Sequence, residues 1–396
     1  MQTTTWTQRR FVTREGANAD PLQKPAATPL PRRVDLVLAG PTGLVGSAFL
    51  RVLEEKSAWL RSEYNLDLRI VGAINTRRMT WDAGGIGARE LHATLGQDTP
   101  AQWEEFLGRI RTHRGPRLIF LDCTASAFIA RQYLTLLQSD VAVVTPNKTA
   151  NAFEYTYYEE LRRLGRNGET RYLYETTVGA ATPMLRVLDD LRRTGDRIQR
   201  IEGVLSGTLS YVFGRLNGGE RFSDAVREAL ERGFTEPHPA SDLSGEDVAR
   251  KLLILAREAG YRLEREQIEV EGLVPVELRT VADPREYVRR LAAYDAGWKA
   301  RAESARARGN RLIFLARFDG TRASAGAAEI PAENPFAHLR PSENAVHYYT
   351  DRHTPLPLTI QGIGAGPEVT ARGVLADVIQ MAVEMKEKKT QSKLND

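Results

Sequence analysis

The stretch Val34-Asp-Leu-Val-Leu-Ala39, followed at once by Gly40-Pro-Thr-Gly-Leu-Val-Gly46, decides the fold class of this chain. The apolar run predicts a buried strand, and residues 47–55 read as a helix. A strand, a glycine turn and a helix form the setting in which backbone amides bind the pyrophosphate of a dinucleotide. The spacing is G-x-x-G-x-x-G rather than the commoner G-x-G-x-x-G, so a plain glycine turn is the alternative. We predict a dinucleotide site in which the cofactor is bound by Gly43, Leu44 and Val45.

Three later apolar runs end in polar residues that a doubly wound sheet would bring to one edge. The runs cover residues 66–74, 118–122 and 141–144. In such a sheet, ligands bind in the crevice at the carboxyl ends of the strands. We therefore expect the residues that follow these runs to face the cofactor, namely Arg77, Arg78, Thr124, Ser126 and Lys148. For Lys148, the charge could face the substrate instead of the cofactor, and an ordinary surface position is equally consistent with the spacing.

Arg77 and Arg78 bear on the choice of coenzyme. An NAD-selective site usually places a carboxylate after the second strand, where it binds the ribose 2′-hydroxyl. Two arginines instead offer charge-assisted hydrogen bonds to a 2′-phosphate. We expect NADP(H) to be preferred over NAD(H), and the alternative is that both residues are solvated loop arginines.

Length and composition exclude several classes of protein. A chain of 396 residues, 42% hydrophobic and 27% charged, suits an ordinary globular protein of two or three domains. Its 55 basic and 51 acidic residues are mixed along the chain, so we infer no nucleic-acid partner. No apolar run approaches the roughly 18 residues that span a bilayer, so we expect no membrane association. Cys123 is the only cysteine, which excludes an intrachain disulfide and suits a reducing cytoplasm.

The segment Thr235-Glu-Pro-His-Pro239 predicts a rigid turn that leads into a buried helix. Its prolines cannot continue a helix, and Ser244 is the expected N-cap of the apolar helix that follows. Asp247 and Lys251 are four residues apart and share one helical face, beside core-facing positions. An exposed ion pair of small energetic value is the simpler interpretation. The alternative is a polar substrate pocket, to which the turn contributes Glu236 and Asp242.

The C-terminal half predicts a second, mixed unit. Residues 283–307 read as one long helix, and a strand at 311–318 turns into an antiparallel layer that is expected to form a dimer interface. A second glycine cluster, Gly362-Ile-Gly-Ala-Gly366, precedes an apolar helix, which indicates that the chain returns to the cofactor domain.

The predicted fold class is α/β, with a Rossmann-type doubly wound cofactor domain plus an α+β catalytic and dimerisation domain. We expect a flexible tail at 1–30, the cofactor domain at 31–165, the catalytic and dimerisation domain at 166–360, and the returning C-terminal helix at 361–390.

Several long motifs, in this order between about residues 34 and 385, resemble the homoserine dehydrogenases. The likeness is greatest to the dehydrogenase half of bifunctional aspartokinase–homoserine dehydrogenases. The motifs are Val143-Val-Thr-Pro-Asn-Lys148, Glu175-Thr-Thr-Val-Gly-Ala180, Leu205-Ser-Gly-Thr-Leu-Ser-Tyr211, Thr235-Glu-Pro-His-Pro239 with Asp242-Leu-Ser-Gly-Glu-Asp-Val-Ala-Arg-Lys251, and Gly362-Ile-Gly-Ala-Gly366. The resemblance implies reversible NAD(P)(H)-dependent hydride transfer between L-homoserine and L-aspartate 4-semialdehyde, a step in threonine, methionine and isoleucine synthesis.

The resemblance also implies roles for individual residues. Glu236 would bind the amino group of the substrate, and Asp242 would contribute to the same site. Asp247 would hydrogen-bond the reacting oxygen or orient its neighbours, and Lys251 would be the general acid and base. Lys148 and Gly366 would face the cofactor, and Lys148 would be a catalytic residue together with Lys251 and Asp247.

A sodium site is a further implication of the resemblance, because members of the family can bind this ion. Its ligands here would be the Glu175 carboxylate and the backbone carbonyls of Val178, Ala180 and Thr182. Ala181-Thr182 replaces a more usual Gly-Leu, and His238 and Ser241 stand where acids are usual.

Two other functions stay open from the residues alone. The glycine loop also resembles that of aspartate-semialdehyde dehydrogenases, whose chemistry needs a cysteine thiolate to form an acyl-enzyme. Cys123 is the only candidate, and it follows a cofactor-edge strand rather than starting a helix in a substrate domain. A non-catalytic NADP-binding sensor is the second alternative, and the presence of both Lys148 and Lys251 argues against it.

Overall fold

The computed structural model of the protein describes residues 30–97, 99–115, 117–165 and 171–385. The tail predicted for residues 1–30 lies outside these ranges apart from Leu30, and so do residues 386–390 of the predicted C-terminal segment. Within these ranges the chain forms two six-stranded sheets with helices packed around them. The predicted α/β class, with a Rossmann-type sheet and a second α+β unit, is confirmed.

The first sheet is formed by the N-terminal part of the chain. Its strands are β1 (Arg32–Ala39), β2 (Leu66–Ile74), β3 (Met79–Ile86), β4 (Leu118–Asp122), β5 (Ala142–Val144) and β6 (Tyr172–Leu173), in the order β3-β2-β1-β4-β5-β6. All neighbours are parallel except β2 and β3, which are antiparallel because only a short turn joins them. Strand β6 belongs to this sheet, although it lies past residue 165, where we expected the cofactor domain to end.

Both faces of this sheet are buried. On β1, Leu36 and Leu38 pack into one apolar cluster, whereas Val37 and Ala39 pack into another. Burial on both faces explains why the strand reads as a continuous apolar run rather than as an alternating one. The helices of this part are α1 (Leu44–Tyr64), α2 (Leu91–Gln97), α3 (Trp103–Thr112), α4 (Ala127–Ala130), α5 (Tyr133–Gln138), α6 (Thr149–Ala152) and α7 (Tyr155–Gly165).

The second sheet is mostly antiparallel. Its strands are β7 (Ile198–Val204), β8 (Ile268–Val270), β9 (Asn310–Phe318), β10 (Ala323–Pro331), β11 (Glu343–Thr350) and β12 (Leu358–Ile363), in the order β12-β11-β7-β9-β10-β8. Only the short edge strand β8 pairs in parallel, with β10. The remaining helices are α8 (Met184–Arg193), α9 (Gly207–Asn217), α10 (Phe222–Glu231), α11 (Ala240–Leu243), α12 (Glu246–Glu258), α13 (Pro284–Leu291), α14 (Asp295–Ala307) and α15 (Pro367–Glu384).

The single helix predicted over residues 283–307 is divided in two. A 3₁₀ turn at Ala292–Tyr294 separates α13 from α14. At this turn the carboxylate of Asp295 accepts hydrogen bonds from the backbone amide and the hydroxyl of Ser223, at 2.8 and 2.7 Å. The contact holds the turn against α10. It joins residues that are far apart in the chain, so a local sequence pattern cannot predict it.

Helix α15 connects the two units. It follows β12 of the second sheet, yet Val374, Val378 and Met381 are buried in the same cluster as Phe49 of α1. An ion pair between Arg51 and Glu368 joins the two helices at the surface. The chain therefore returns to the first sheet at its C-terminal end.

Helix α12 lies in the centre of the molecule. Every residue from Val248 to Glu258 is buried except Arg250, including the charged Lys251, Arg257 and Glu258. A helix buried on all sides must satisfy its charges internally. The fully buried Arg257 does so by donating to the carbonyls of Asn151, Phe153 and Leu263 and to the Glu264 carboxylate.

Candidate active site

Lys251 is held inside the protein by two hydrogen-bonding groups. Its Nζ atom donates to the backbone carbonyl of Leu205 at 2.6 Å and lies 2.9 Å from Oδ2 of Asp247. Only 10% of its side chain is exposed, so the prediction of an exposed surface pair is wrong for this lysine. An ammonium group has three N–H donors, and these two contacts leave one for a ligand. This arrangement suits a proton donor at a reacting oxygen.

Asp247 lies between two lysines. Its Oδ1 atom is 3.5 Å from Nζ of Lys148, while Oδ2 contacts Lys251. Burial raises the pKa of Asp247, but the ammonium groups of Lys251 and Lys148 outweigh that effect and hold the pKa well below its usual range. Asp247 is therefore a carboxylate at neutral pH, and it orients both lysines.

A buried polar network fixes the loop that carries Lys148. Tyr133 and Asn147 both donate to Oδ2 of Asp122, and Tyr133 also contacts the Thr145 hydroxyl at 2.9 Å. The side-chain carboxamide of Asn147 also donates to the Ser126 carbonyl, and its oxygen accepts from the backbone N–H of Thr149. Lys148 follows directly at the start of α6, so the network determines where its side chain begins.

The glycine loop fits an anionic group at the start of α1. Gly40 has φ +78°, and a Cβ atom on Gly46 would lie 2.1 Å from the Gly40 carbonyl oxygen. Gly43 is the N-cap of α1 and provides no capping side chain. The first amides of the helix, including those of Leu44 and Val45, have no intrahelical acceptor and face outward as donors. These features suit a phosphate group and match the predicted dinucleotide loop.

Four further predicted cofactor residues, Thr124, Ser126, Arg77 and Arg78, lie on segments that adjoin this loop. A Cβ on Gly40 would approach Thr124 Cγ2 to 2.8 Å, and Ser126 caps α4 just beyond. The amide of Gly40 donates to the Ile74 carbonyl, so the end of β2 is adjacent. There the Asn75 carboxamide oxygen accepts from the amides of Arg77 and Arg78, both exposed, at 2.8 Å each.

The proline-rich turn leads through α11 into α12, the helix that carries Asp247 and Lys251, although the N-cap of α12 differs from the prediction. Gly245, with φ +76°, is the N-cap of α12. Ser244 was expected at that position, but its hydroxyl accepts from the Glu246 amide and donates to the Ser241 carbonyl. The left-handed backbone at residue 245 requires glycine, since a Cβ there would also approach Phe314 to 2.7 Å.

Asp242 and Glu236 are joined within that turn. The amide of exposed Glu236 donates to Oδ2 of Asp242 at 2.9 Å. Burial raises the pKa of Asp242 to about 6, although this hydrogen bond opposes the shift. Glu236 is exposed, so a cationic group can reach its carboxylate.

The residues of the predicted sodium site have internal roles. Both carboxylate oxygens of Glu175 accept amides at the start of α8, from Leu185 at 2.8 Å and Arg186 at 2.7 Å. The Thr182 carbonyl accepts from Met184. Val178 is buried, and Ala180 adopts φ +52°, unusual for a residue with a side chain. Each Glu175 oxygen keeps a second lone pair, and hard oxygen donors of this kind suit a hard cation.

Gly366 begins α15 with φ +125°. Two residues earlier, a Cβ on Gly364 would lie 2.0 Å from Cγ of Asn344, so the glycine cluster is tightly packed against β11.

Comparison with known proteins identifies the family. Residues 42–175 match the model of the homoserine dehydrogenase NAD binding domain, and residues 183–379 match that of homoserine dehydrogenase. The chain belongs to the homoserine dehydrogenase family. Bifunctional aspartokinase/homoserine dehydrogenase 2, chloroplastic, of Zea mays is 39% identical over 350 residues, which are 87% of this chain and 38% of that protein. The chain thus spans about two fifths of the length of the curated relatives it matches.

Solved structures agree with the family's fold. A Candida auris protein of unknown function has a TM-score of 0.80 at 32% identity, with 89% of this chain and 98% of that chain covered. A hyperthermophilic archaeal homoserine dehydrogenase in complex with NADPH has a TM-score of 0.67 at 22% identity, with 90% and 99% covered, and shows the fold alone. No helix within the described ranges is both long and apolar enough to cross a bilayer.

The alternative functions are not favoured by these findings. Aspartate-semialdehyde dehydrogenase chemistry would depend on Cys123. This residue follows β4 directly and is buried. Burial and the neighbouring Asp122 carboxylate raise the pKa of its thiol far above the usual range, so it does not supply a thiolate.

Some residues of the site were missed from the sequence. The Leu205 carbonyl that holds Lys251 is a backbone group and has no side-chain signal. Asp122 and Asn344 are polar residues within apolar strands, and this is the one signal that pointed to them.

Proposed function

We propose that this chain reduces L-aspartate 4-semialdehyde to L-homoserine, reversibly, with NADP(H). The observation that carries the proposal is the buried Lys251 ammonium, held by the Leu205 carbonyl and by Asp247, with Lys148 on the other side of the same carboxylate. A carbonyl that becomes an alkoxide needs a proton donor, and Lys251 presents one N–H for that purpose.

Each residue of the site has its own role in the reaction. NADPH, when bound, supplies the hydride that reduces the aldehyde carbon. Lys251 donates a proton to the aldehyde oxygen, and Asp247 holds the lysine in place and hydrogen-bonds the reacting group. Glu236 attracts the ammonium group of the substrate, and Asp242 orients Glu236 through its backbone amide. In the reverse direction Lys251 accepts the proton.

The cofactor would be held at the edge of the first sheet. The amides of Leu44 and Val45, after Gly43, would bind the pyrophosphate, with Thr124 and Ser126 beside it. Lys148 and Gly366 would contact its nicotinamide half. Arg77 and Arg78, after β2, would bind a 2′-phosphate and favour NADP(H) over NAD(H).

We further propose a sodium ion at Glu175 and the carbonyls of Val178, Ala180 and Thr182. Burial raises the pKa of Glu175 to about 7, and the carboxyl of Asp377 lies close to it. A bound cation would stabilise the ionised form of such a buried pair. The melting temperature should then rise with NaCl relative to choline chloride, and a Glu175→Gln variant should lose the difference.

A homodimer and a cytoplasmic location complete the proposal. Support for the dimer comes from the edge strand β12, where Ile363 and the nearby Leu356 are exposed. The single, buried cysteine suits a reducing compartment. Light scattering after size-exclusion chromatography tests for the dimer. Cell fractionation tests for the cytoplasmic location.

The deciding experiment follows NADPH absorbance with L-aspartate 4-semialdehyde. Lys251→Ala should lower kcat by at least about a hundredfold, because positioned proton transfer typically contributes factors of this size. Lys299→Ala is the matched control, since Lys299 lies 3.8 Å from Glu303 in an exposed i,i+4 pair. Phosphate-dependent oxidation of the semialdehyde, or an unaffected Lys251→Ala variant, would contradict the proposal.

A further inference from the structure

Asn344 contacts the same carbonyl oxygen that holds Lys251. It is fully buried near the start of β11, and its Nδ2 atom donates to the Leu205 carbonyl at 3.2 Å. Lys251 donates to that oxygen at 2.6 Å. A carbonyl oxygen has two lone pairs, one for each donor. The direction of the Leu205 carbonyl therefore depends on both side chains.

We propose that Asn344 is a positioning residue for Lys251. It fixes the Leu205 carbonyl, and this in turn determines where the remaining N–H of the Lys251 ammonium points. The inference rests on the proposed function in one respect only, namely that this N–H serves the reacting oxygen. The coupling between Asn344 and Lys251 is a separate statement about the protein itself.

The surroundings of Asn344 hold its carboxamide in one place. Gly364 packs its backbone against the carboxamide, and a Cβ there would lie 2.0 Å from Asn344 Cγ. The amide of Gly364 donates to the Ser342 carbonyl at 3.0 Å, and the Gly364 carbonyl lies 3.5 Å from Asn344 Nδ2. Asn344 thus joins the end of β7, the start of β11 and the glycine cluster before α15.

The energetics favour a functional role over a purely structural one. The Oδ1 atom of Asn344 is buried and has no hydrogen-bond partner among the described residues. Leaving a buried acceptor unpaired is unfavourable, and an apolar side chain of similar size would avoid that cost. The benefit of asparagine here is the donor group aimed at Leu205 rather than added stability.

The experiment compares variants that remove or displace this donor. Asn344→Leu keeps a similar volume without the donor, and Asn344→Ala removes the whole carboxamide. Gly364→Ala leaves Asn344 in the chain but displaces its carboxamide by the new Cβ. Thr350→Val is the control, because Thr350 is equally buried at the far end of β11 and donates to Asp196 at 2.9 Å.

Two quantities are measured. The first is the steady-state kinetics with NADPH and L-aspartate 4-semialdehyde. The second is the rate at which acetic anhydride acetylates Lys251, followed by mass spectrometry of the peptide that contains this lysine. The Asn344 and Gly364 variants should lose about tenfold or more in kcat, with little change in the KM for NADPH. Lys251, less firmly held, should be acetylated faster. Thr350→Val should lower the melting temperature and leave both readouts at wild-type values.

The outcomes separate the two proposals. If the wild type does not turn over the semialdehyde, the proposed function fails, while the acetylation rates still decide the coupling. If folded Asn344→Leu or Asn344→Ala retains the wild-type kcat and acetylation rate, Asn344 does not position Lys251. Should the Asn344 variants fail to fold, Gly364→Ala decides by the same two measurements.

Discussion

Lys148 Nζ and Asp247 Oδ1 lie 3.5 Å apart and join the two halves of the molecule. Lys148 follows β5 of the first sheet, and Asp247 lies on the central helix α12, which packs against the second sheet. Because Asp247 also contacts Lys251, one carboxylate sets the relative position of Lys148 and the proposed proton donor.

Asp247→Asn should therefore disable the site without unfolding the protein. The substitution leaves two ammonium groups close together without the carboxylate between them, so both lysines should move apart. We expect kcat/KM to fall by about a hundredfold. Steady-state kinetics measures the effect, and circular dichroism checks the fold. Asp140→Asn, at an exposed aspartate paired with Arg171, is the matched control and should behave as wild type.

The pH dependence of the same site follows from the direction of the Asp247 pKa. Since the two lysines hold that pKa well below its usual range, Asp247 stays ionised at every pH near neutrality. The pH dependence of kcat/KM between pH 5 and 9 should therefore contain no inflection that belongs to Asp247. Every inflection of the wild-type profile should also be present in Asp247→Asn. An acidic limb that disappears in this variant would show that the carboxylate titrates in the working range.

The glycine loop offers a pair of matched variants. A Cβ on Gly46 would lie 2.1 Å from the Gly40 carbonyl oxygen, whereas a Cβ on Gly43 would find that oxygen at 3.5 Å, an ordinary contact. Gly46→Ala should destabilise the protein by about 3 kcal/mol, the upper end of typical overpacking costs, because the backbone of Gly40 must move. Gly43→Ala should fold normally, and any weakening of NADPH binding then reports how closely the phosphate approaches. Urea unfolding and fluorescence titration with NADPH measure the two effects, and equal stability of both variants would contradict the expectation.

The fold and the central residues of the site were predictable from sequence for physical reasons. The strand, glycine loop and helix at residues 34–55 each have a strong local signal, and the i,i+4 spacing of Asp247 and Lys251 fixes their mutual contact on a helix. The Leu205 carbonyl and Asn344 could not be predicted, since pairing of β7 with β11 brings them together. Gly245 replaced Ser244 as the cap because only glycine fits the left-handed backbone beside Phe314.

Arg77 tests the choice of coenzyme. It is exposed just after β2, where its guanidinium can form charge-assisted hydrogen bonds to a 2′-phosphate and only a weaker hydrogen bond to a neutral 2′-hydroxyl. Arg77→Ala should raise the KM for NADPH by about tenfold and leave that for NADH unchanged. Arg114→Ala, at an exposed arginine after α3, is the control. Equal effects on both coenzymes would mean that Arg77 supports the loop rather than selects the phosphate.

Glu175 and Asp377 make stability depend on pH. The backbone amide of Glu175 donates to Asp377 Oδ2 at 3.0 Å, and Asp377 also pairs with Arg186 at 3.2 Å. Burial raises the pKa of each carboxyl to about 7, and the charge of Glu175 adds to the effect on Asp377, while Arg186 opposes it. In the unfolded chain both carboxyls titrate near pH 4. At these two carboxyls the folded protein therefore binds more protons than the unfolded chain between about pH 4 and pH 7.

The free energy of unfolding should accordingly fall as the pH rises through that window and level off above it. The carboxamide introduced by Asp377→Asn cannot lose a proton, so the stability of this variant should fall less steeply, by on the order of 4 kcal/mol less across the window of about three pKa units. Urea unfolding at pH 5, 6, 7 and 8 measures the slope, with Asp140→Asn as the control whose slope should match that of the wild type. A slope unchanged in Asp377→Asn would mean that Arg186 keeps Asp377 ionised throughout, and that Glu175 alone binds the extra proton.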